Sequence, residues 1–185
     1  QLFGSQLQKV IPAAKAIEVF HNFTLVHDDI MDKAPLRRGQ KTVHEKWNNN
    51  IAILSGDTLL IEVYNHFLEG GYSNLSEILT VFNATAIEVC EGQQLDMNFE
   101  TRDDVTIDEY INMIRLKTSV LLGGAFKIGA LVAEASESDS NFIYDFGVNL
   151  GIAFQLQDDY LDCFGDPSKF GKLIGGDILS NKKTY

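Results

Sequence analysis

Cysteine, proline and positive charge are all scarce in this sequence. Its 185 residues include 2 cysteines and 3 prolines, and 15 lysines and arginines stand against 26 aspartates and glutamates, for a formal net charge of -11. Two cysteines do not make a disulfide framework, so we expect Cys90 and Cys163 to be core thiols in a reducing compartment. The acidic balance argues against a nucleic-acid partner, because such a surface needs basic groups to release phosphate counterions.

Long apolar runs are also missing. The most apolar window, residues 120–135, contains Lys127 and three glycines, and it falls short of the roughly 20 apolar residues that span a bilayer. No signal-peptide pattern opens the sequence. We therefore expect a cytoplasmic protein without stable membrane insertion. Since the first residue is Gln1 and the last residues look like the start of a helix, we expect a piece of a longer protein that lacks helices at both ends.

Helical periodicity is what the sequence has in abundance. Apolar residues recur at three- and four-residue spacing, and the pairs Asn74 with Glu77 and Thr106 with Glu109 have the spacing of helix-starting capping boxes. Alternating strand-like runs are few. The patterns predict an all-α bundle rather than an α/β fold, as a single domain over residues 1–185. The predicted helices cover residues 13–32, 51–69, 75–100, 107–117, 119–135 and 141–164.

An acidic motif with the spacing D-D-x-x-D occurs twice. The two copies are Asp28, Asp29 and Asp32, and Asp158, Asp159 and Asp162. On a helix, the first and last aspartates of each copy share one face and repel each other, while the middle one points about 100° away. Carboxylates without a histidine or cysteine pattern suit hard cations, and Mg²⁺ is usually held by a few carboxylates together with substrate phosphates. A single copy is equally explained by a solvated helix face, but two copies in apolar helices indicate magnesium bridging to a phosphorylated substrate.

Basic residues accompany both motifs. Arg37 and Arg38 follow the first copy, where they are either a diphosphate clamp or surface partners of nearby acids. Lys117 lies in an apolar helix, so its ammonium either meets a ligand or extends to water at the helix end. His21 precedes Asp28 by two turns and is either a core residue or a phosphate donor. A glycine loop after the second copy, which could close over phosphates, carries Lys169 and Lys172, and Lys182 and Lys183 come next.

Together these residues resemble the trans-isoprenyl diphosphate synthases, the family of farnesyl and geranylgeranyl diphosphate synthases. The segments HDDIMDKAPLRRGQKTVH, EGQQLDM, IRLKTS, AFQLQDDYLD and FGKLIGGDI follow one another in the family's order. The resemblance implies an isoprenoid-synthase-type helical bundle around a central cavity, usually a homodimer. It also implies Mg²⁺ as the cofactor, with isopentenyl diphosphate and an allylic prenyl diphosphate as the substrates.

The resemblance further implies roles for individual residues. The main magnesium ligands would be Asp28, Asp32 and Asp158, with Asp29, Asp159 and Asp162 as supporting groups. The allylic diphosphate would contact Arg37, Lys117, Lys172 and Lys182, and isopentenyl diphosphate would contact His21 and Arg38. Thr118 and Gln155 would line the reaction centre.

Product length depends, in this family, on bulky residues beside the first aspartate helix. Phe23 precedes Asp28 by five residues, about 7.5 Å of helix rise, and Phe20 lies about 12 Å before Asp28. A floor at Phe23 with the small Thr24 beside it predicts geranylgeranyl diphosphate first and farnesyl diphosphate second. Core packing explains both phenylalanines equally well.

The sequence departs from the family pattern in two places, and it has three rival interpretations. Residues 1–19 lack the upstream glycine-lysine-arginine motif, and Gln40-Lys41 replaces a pair that usually contains proline. A class I terpene cyclase would share the helical cavity and the first motif, but its second metal motif normally contains asparagine, serine and glutamate. A regulatory subunit of a synthase would normally have lost one aspartate motif. A helical scaffold or ion buffer leaves the paired arginines unexplained.

Overall fold

Helices make up nearly all of the regular structure in the computed structural model, which describes residues 2–4 and 7–165. The described part of the chain therefore confirms the all-α prediction. The helices are Leu7–Met31 (α1), Val43–Lys46 (α2), Asn49–Glu69 (α3), Leu75–Phe99 (α4), Ile107–Ile114 (α5), Val120–Val132 (α6) and Glu137–Phe164 (α7). A small antiparallel hairpin follows α1, with strands Leu36–Arg37 (β1) and Gln40–Lys41 (β2).

The largest differences from the predicted helix boundaries lie at three places. The first helix begins at Leu7 and includes Pro12, so the predicted start after this proline is wrong. The last begins at Glu137 rather than residue 141, because the Ser136 hydroxyl accepts from the Asp139 amide and caps it. The predicted break at Thr118 is wrong too, since a π-helical turn, Arg115–Ser119, joins α5 to α6 without interruption.

The predicted capping signals mark real helix starts. At α5, Thr106 Oγ1 accepts from the Glu109 amide at 3.3 Å, and the Glu109 carboxylate accepts from the Thr106 amide at 2.9 Å. These two bonds form the complete capping box that the sequence predicts. Helix α4 begins directly after Asn74, as expected.

The chain divides into two compact units, residues 1–76 and 77–185. In the first, α1 and α3 pack antiparallel. The His27 ring lies 3.2 Å from the Ile53 carbonyl oxygen near the start of α3, and the Tyr72 hydroxyl beyond its end accepts from the Ala13 amide at 3.1 Å. Gly56 allows this approach, because a Cβ there would lie 2.2 Å from His27 Nε2.

The second unit brings α4, the π-turn, α6 and α7 together through glycines. A Cβ on Gly124 of α6 would lie 2.6 Å from the Thr85 hydroxyl of α4, and one on Gly151 of α7 would lie 2.6 Å from Ser119 Cα. Helix α5 adds an apolar cluster of Phe99, Tyr110, Met113 and Ile114. These close contacts hold the π-turn between α4 and α7.

The two cysteines are not core thiols, and that expectation is wrong. Cys90 is exposed and Cys163 is partly exposed. The buried positions of α4 include Thr85, Val89 and Gly92 at helical spacing, and Cys90 lies off that stripe. Across the described residues, no helix combines the length and apolar character needed to cross a bilayer.

Candidate functional site

The first aspartate motif occupies the last turn of α1 and the turn after it. Asp29 is 4% exposed, and its Oδ1 accepts from Arg37 Nε at 2.8 Å. Arg37 also donates from Nη2 to Asp28 Oδ2 at 3.2 Å. The guanidinium therefore bridges the first two carboxylates of the motif, a charge-assisted pairing of the strong type.

The β-hairpin brings Arg37 back to the helix that precedes it. Lys33, two residues beyond the end of α1, has a φ of 51°, and Arg38 and Gly39 form the hairpin turn with φ values of 52° and 75°. Thr42 closes the loop by donating from its hydroxyl to the Ala34 carbonyl at 2.7 Å. Non-glycine residues in the left-handed region are uncommon, so this segment is held in a specific shape rather than a default one.

Asp29 carries an altered proton affinity. Burial raises the pKa of Asp29 above its ordinary value, and the hydrogen bond and charge of Arg37 reduce that rise without cancelling it. The neighbouring Asp28 carboxylate raises the pKa of Asp29 further, while His44 acts in the opposite direction. The His44 side chain is 8% exposed, and among the described residues its Nδ1 has no hydrogen-bond partner.

Upstream of the motif, the predicted product-length residues line α1. Phe20 is 1% exposed, which assigns it to the core. Phe23 is half-buried and contacts both Phe20 and His27, with ring centroids 5.6 and 4.8 Å apart. The Thr24 hydroxyl donates to the His21 carbonyl at 2.8 Å. The His21 ring is 41% exposed and lies 3.9 Å from the Glu18 carboxylate.

The second motif lies in the last two turns of α7. Asp159 is 4% exposed and Asp162 is 7% exposed, whereas Asp158 is half-buried. Both oxygens of Asp159 accept hydrogen bonds. Oδ2 accepts a hydrogen bond from the Tyr110 hydroxyl, and Oδ1 accepts one from Gln155 Nε2 at 2.9 Å.

The π-turn contributes the polar groups of the IRLKTS segment. Thr118 Oγ1 donates to Gln155 Oε1 at 3.3 Å. Lys117 Nζ donates to Asp96 Oδ2 of α4 at 2.5 Å, and the Asp96 side chain is 8% exposed. Gly92 allows α4 and the π-turn to lie this close together, because a Cβ on Gly92 would lie 2.2 Å from the Lys117 backbone nitrogen.

The predicted residues meet in two groups. Arg37 joins Asp28 and Asp29 in the first unit. Thr118, Gln155 and Asp159 form a hydrogen-bonded series in the second. Lys169, Lys172, Lys182 and Lys183 lie outside the described residues.

The sequence did not predict three residues that interact with the predicted ones, namely Asp96, His44 and Tyr110. Asp96 belongs to the quoted EGQQLDM segment, and a lysine in an apolar helix signals a buried acid, so the pair with Lys117 had a usable signal. His44 ends the quoted segment around the first motif. Tyr110 has no signal beyond its helical position, since one tyrosine in an apolar helix ordinarily indicates packing.

Comparison with known proteins places this arrangement in a family. The profile of the Polyprenyl synthetase family matches residues 1–185. The chain belongs to this family. It is 45% identical over 183 residues to a geranylgeranyl diphosphate synthase of Methanosarcina mazei, in an alignment that covers 98% of this chain and 56% of the relative. The chain thus spans about half the length of the curated relatives it matches.

Solved structures give the same result. A crystal structure of a geranylgeranyl pyrophosphate synthase superposes with a TM-score of 0.95 at 57% identity, covering 99% of this chain and 56% of that one. A polyprenyl synthase of Caulobacter crescentus CB15, crystallised with calcium and isoprenyl diphosphate, superposes with a TM-score of 0.90 at 31% identity, covering 99% and 55%. Both polyprenyl synthetases share the helical fold found here.

Proposed function

We propose that this chain is part of a short-chain trans-prenyltransferase that condenses isopentenyl diphosphate with an allylic prenyl diphosphate. The observation that carries the proposal is the presence of both complete aspartate motifs in a chain that matches the family over residues 1–185. The names of the similar proteins, geranylgeranyl diphosphate synthases among them, support the same reaction class. The loss of diphosphate and of one proton balances the condensation.

The donor chemistry of the motifs fits magnesium. No three acid, histidine or cysteine side chains in residues 2–4 and 7–165 converge to hold an ion by themselves. Mg²⁺ typically takes one or two carboxylates and completes its shell with water and substrate phosphates, so it needs no such cage. We propose Asp28 and Asp32 as magnesium ligands in the first unit and Asp158 as a magnesium ligand in the second, with Asp29, Asp159 and Asp162 as supporting groups of their motifs. Calcium in the Caulobacter relative's crystal structure supports a hard divalent cation in the family.

Around those ligands, the protein's own groups bind and orient the diphosphate. When bound, magnesium would supply Lewis-acid stabilisation of the negative charge on the departing diphosphate. Arg37 and Lys117 are fixed cations whose present partners, Asp29 and Asp96, hold them in place before substrate arrives. Preorganised cations lower the barrier to ionisation because they need little reorganisation during the reaction. In this scheme His21 and Arg38 bind isopentenyl diphosphate, and Lys172 and Lys182 complete the allylic site.

Product length follows from the residues of α1. Phe23 is half-buried, so part of its ring is accessible, while Phe20 is enclosed by the core. We therefore propose Phe23 as the floor of the prenyl-chain site, with Thr24 giving space beside it. The expected product is geranylgeranyl diphosphate, with farnesyl diphosphate as the second choice. A cytoplasmic homodimer remains part of the proposal.

The proposed function is tested by product analysis of the full-length protein. The protein is incubated with Mg²⁺, isopentenyl diphosphate and dimethylallyl, geranyl or farnesyl diphosphate, and the chain length of each product is determined by mass spectrometry. We expect elongation that stops at geranylgeranyl diphosphate. Failure to elongate any of the three allylic substrates would overturn the synthase proposal. A cyclic hydrocarbon from one diphosphate alone would indicate a terpene cyclase, and activity that requires a second type of subunit would indicate a regulatory chain.

A further inference from the structure

Asp159 is the centre of a hydrogen-bonded series that links three helical segments. The Tyr110 hydroxyl of α5 donates to one of its oxygens, and Gln155, one turn earlier on α7, donates to the other. Gln155 in turn accepts from Thr118 of the π-turn. The series therefore starts in the apolar cluster that contains Tyr110 and ends at Gln155 and Thr118, which the family resemblance implies to line the reaction centre.

The donor and acceptor pattern leaves one orientation for the Gln155 amide. A carboxylate only accepts hydrogen bonds, so the group that faces Asp159 Oδ1 has to be the NH₂ of Gln155. Its carbonyl oxygen then faces Thr118, and the threonine hydroxyl has to donate to it. Asp159 thus fixes both the direction of the amide and the direction of the Thr118 O–H bond. Tyr110, by holding the second oxygen of Asp159, fixes the plane of the carboxylate.

The π-turn explains how Tyr110 and Thr118 both reach α7. They are eight residues apart on one continuous helical segment, and in an α-helix eight residues would rotate about 80° beyond two full turns. A π-turn, whose hydrogen bonds run from i to i+5, holds more residues per turn and so reduces that rotation. Both side chains therefore face the same neighbour. The eight residues also correspond to roughly 12 Å of helix rise, which keeps Tyr110 and Thr118 out of direct contact.

We propose that Tyr110 is a positioning residue for the prenyl-transfer reaction, acting through Asp159 to fix the Gln155 amide and the Thr118 hydroxyl. The inference rests on the proposed function. It assigns Asp159 a role different from that of Asp158, although both belong to one motif: Asp159 orients side chains, whereas Asp158 binds the cation. It also gives α5, which carries no member of either aspartate motif, a part in the chemistry.

A double-mutant cycle on the full-length protein tests this coupling. Tyr110→Phe removes the hydroxyl and keeps the ring in its apolar cluster, and Thr118→Val removes the other hydroxyl. We expect each change to lower kcat by about tenfold with little change in the KM for the allylic diphosphate, because the affected groups do not hold the diphosphate. The double variant should also lose about tenfold, since sites linked through one network are not additive. A loss of about a hundredfold would overturn the proposal, because sites so far apart add when nothing couples them.

Asp159→Asn supplies a second test, because the asparagine side chain has nearly the same shape and volume as the aspartate it replaces. Its carbonyl can still accept from Tyr110, but its NH₂ would meet the NH₂ of Gln155 and turn the amide over. We expect a loss in kcat of about tenfold in the wild-type background and little further loss in the Tyr110→Phe background. Full losses in both backgrounds would contradict the proposal.

Tyr144→Phe is the matched control for a structural effect. It removes a tyrosine hydroxyl from α7 in the same unit, away from the series, where burial raises the pKa of Tyr144 and Glu88 accepts a hydrogen bond. This control should lower the melting temperature without changing kcat below the unfolding transition. If the wild type makes product and Tyr110→Phe has the same kcat as this control, the positioning role is rejected. Absence of product from the wild type would instead reject the proposed function.

Discussion

Gly92 allows α4 to touch the backbone of the π-turn, and an added methyl group should push the two apart. A Cβ at this position would lie 2.2 Å from the Lys117 nitrogen, 2.6 Å from its Cα and 2.6 Å from the Leu116 carbonyl carbon. All three are backbone atoms, so no side-chain rotation relieves the clash. Restoring an ordinary contact requires a separation greater by at least about 1 Å.

The cost follows from two opposing effects. Alanine is a better helix former than glycine by about 1 kcal/mol, whereas overpacking of a dense interior costs about 1–3 kcal/mol and occasionally more. Because the three clashing atoms all belong to the backbone, the overpacking cost lies in the upper part of that range, at about 2–3 kcal/mol. After the gain in helix propensity, Gly92→Ala should lower the free energy of unfolding by about 1–2 kcal/mol. For a chain of this size that corresponds to a melting temperature lower by roughly 2–8 °C. A shift of about 1 Å in Lys117 and Thr118 would also lower kcat by up to about a hundredfold.

Gly129→Ala is the matched control for these measurements. Gly129 is also a helical glycine, but its added Cβ would have no atom of the described residues within 4 Å. The change therefore keeps the gain in helix propensity and avoids the clash. We expect the control to raise the melting temperature by a few degrees and to leave kcat unchanged. If Gly92→Ala were as stable as Gly129→Ala and as active as wild type, the close contact between α4 and the π-turn would be refuted.

Three further predictions concern other parts of the chain. Phe23→Ala should lengthen the product beyond that of wild type, because the floor moves down the helix; an unchanged product in chromatography would show that another residue sets the limit. Asp96→Asn should lower the free energy of unfolding by about 1–3 kcal/mol and raise the KM for the allylic diphosphate, because Lys117 loses the carboxylate that holds it. Denaturant titration measures the first effect, and initial rates measure the second. Hydrogen bonds from Arg102 and Thr106 lower the pKa of Glu109 from 4.5 to about 2. The ionised Glu109 therefore stabilises the fold above about pH 4.5, and this stabilisation is lost as the pH falls towards 2. The melting temperatures of wild type and Glu109→Gln should therefore differ at pH 7 and converge near pH 2, and a constant difference would contradict the assignment.

Periodicity and capping chemistry carried most of the fold prediction. Thr106 and Glu109 predict the start of α5, and the structure has both capping bonds. The π-turn was not predicted, because it is a change in the backbone hydrogen-bond register and the apolar pattern of the IRLKTS segment does not indicate such a change. The sequence reasoning placed a break at Thr118, and the chain instead continues through it.

The candidate site was predictable as a set of residues but less so as a set of contacts. The D-D-x-x-D spacing identified the aspartates. It did not show that Asp29 is buried or that Asp29 accepts a hydrogen bond from Arg37. That hydrogen bond depends on the return of Arg37, which requires left-handed backbone at Lys33 and Arg38. Neither residue favours that conformation locally. Tertiary structure therefore decides which carboxylate the arginine meets.

The dependence of product formation on Mg²⁺ and on the two motifs tests the central claim most directly. Incorporation of labelled isopentenyl diphosphate is measured for wild type, Asp28→Ala, Asp158→Ala and the control Asp145→Ala, an exposed aspartate of α7, over a range of Mg²⁺ concentrations. We predict Mg²⁺-dependent product from wild type and Asp145→Ala, and rates lower by at least about a thousandfold from the other two at unchanged melting temperature. Near-normal product from both Asp28→Ala and Asp158→Ala, or full wild-type activity in excess chelator, would contradict the account.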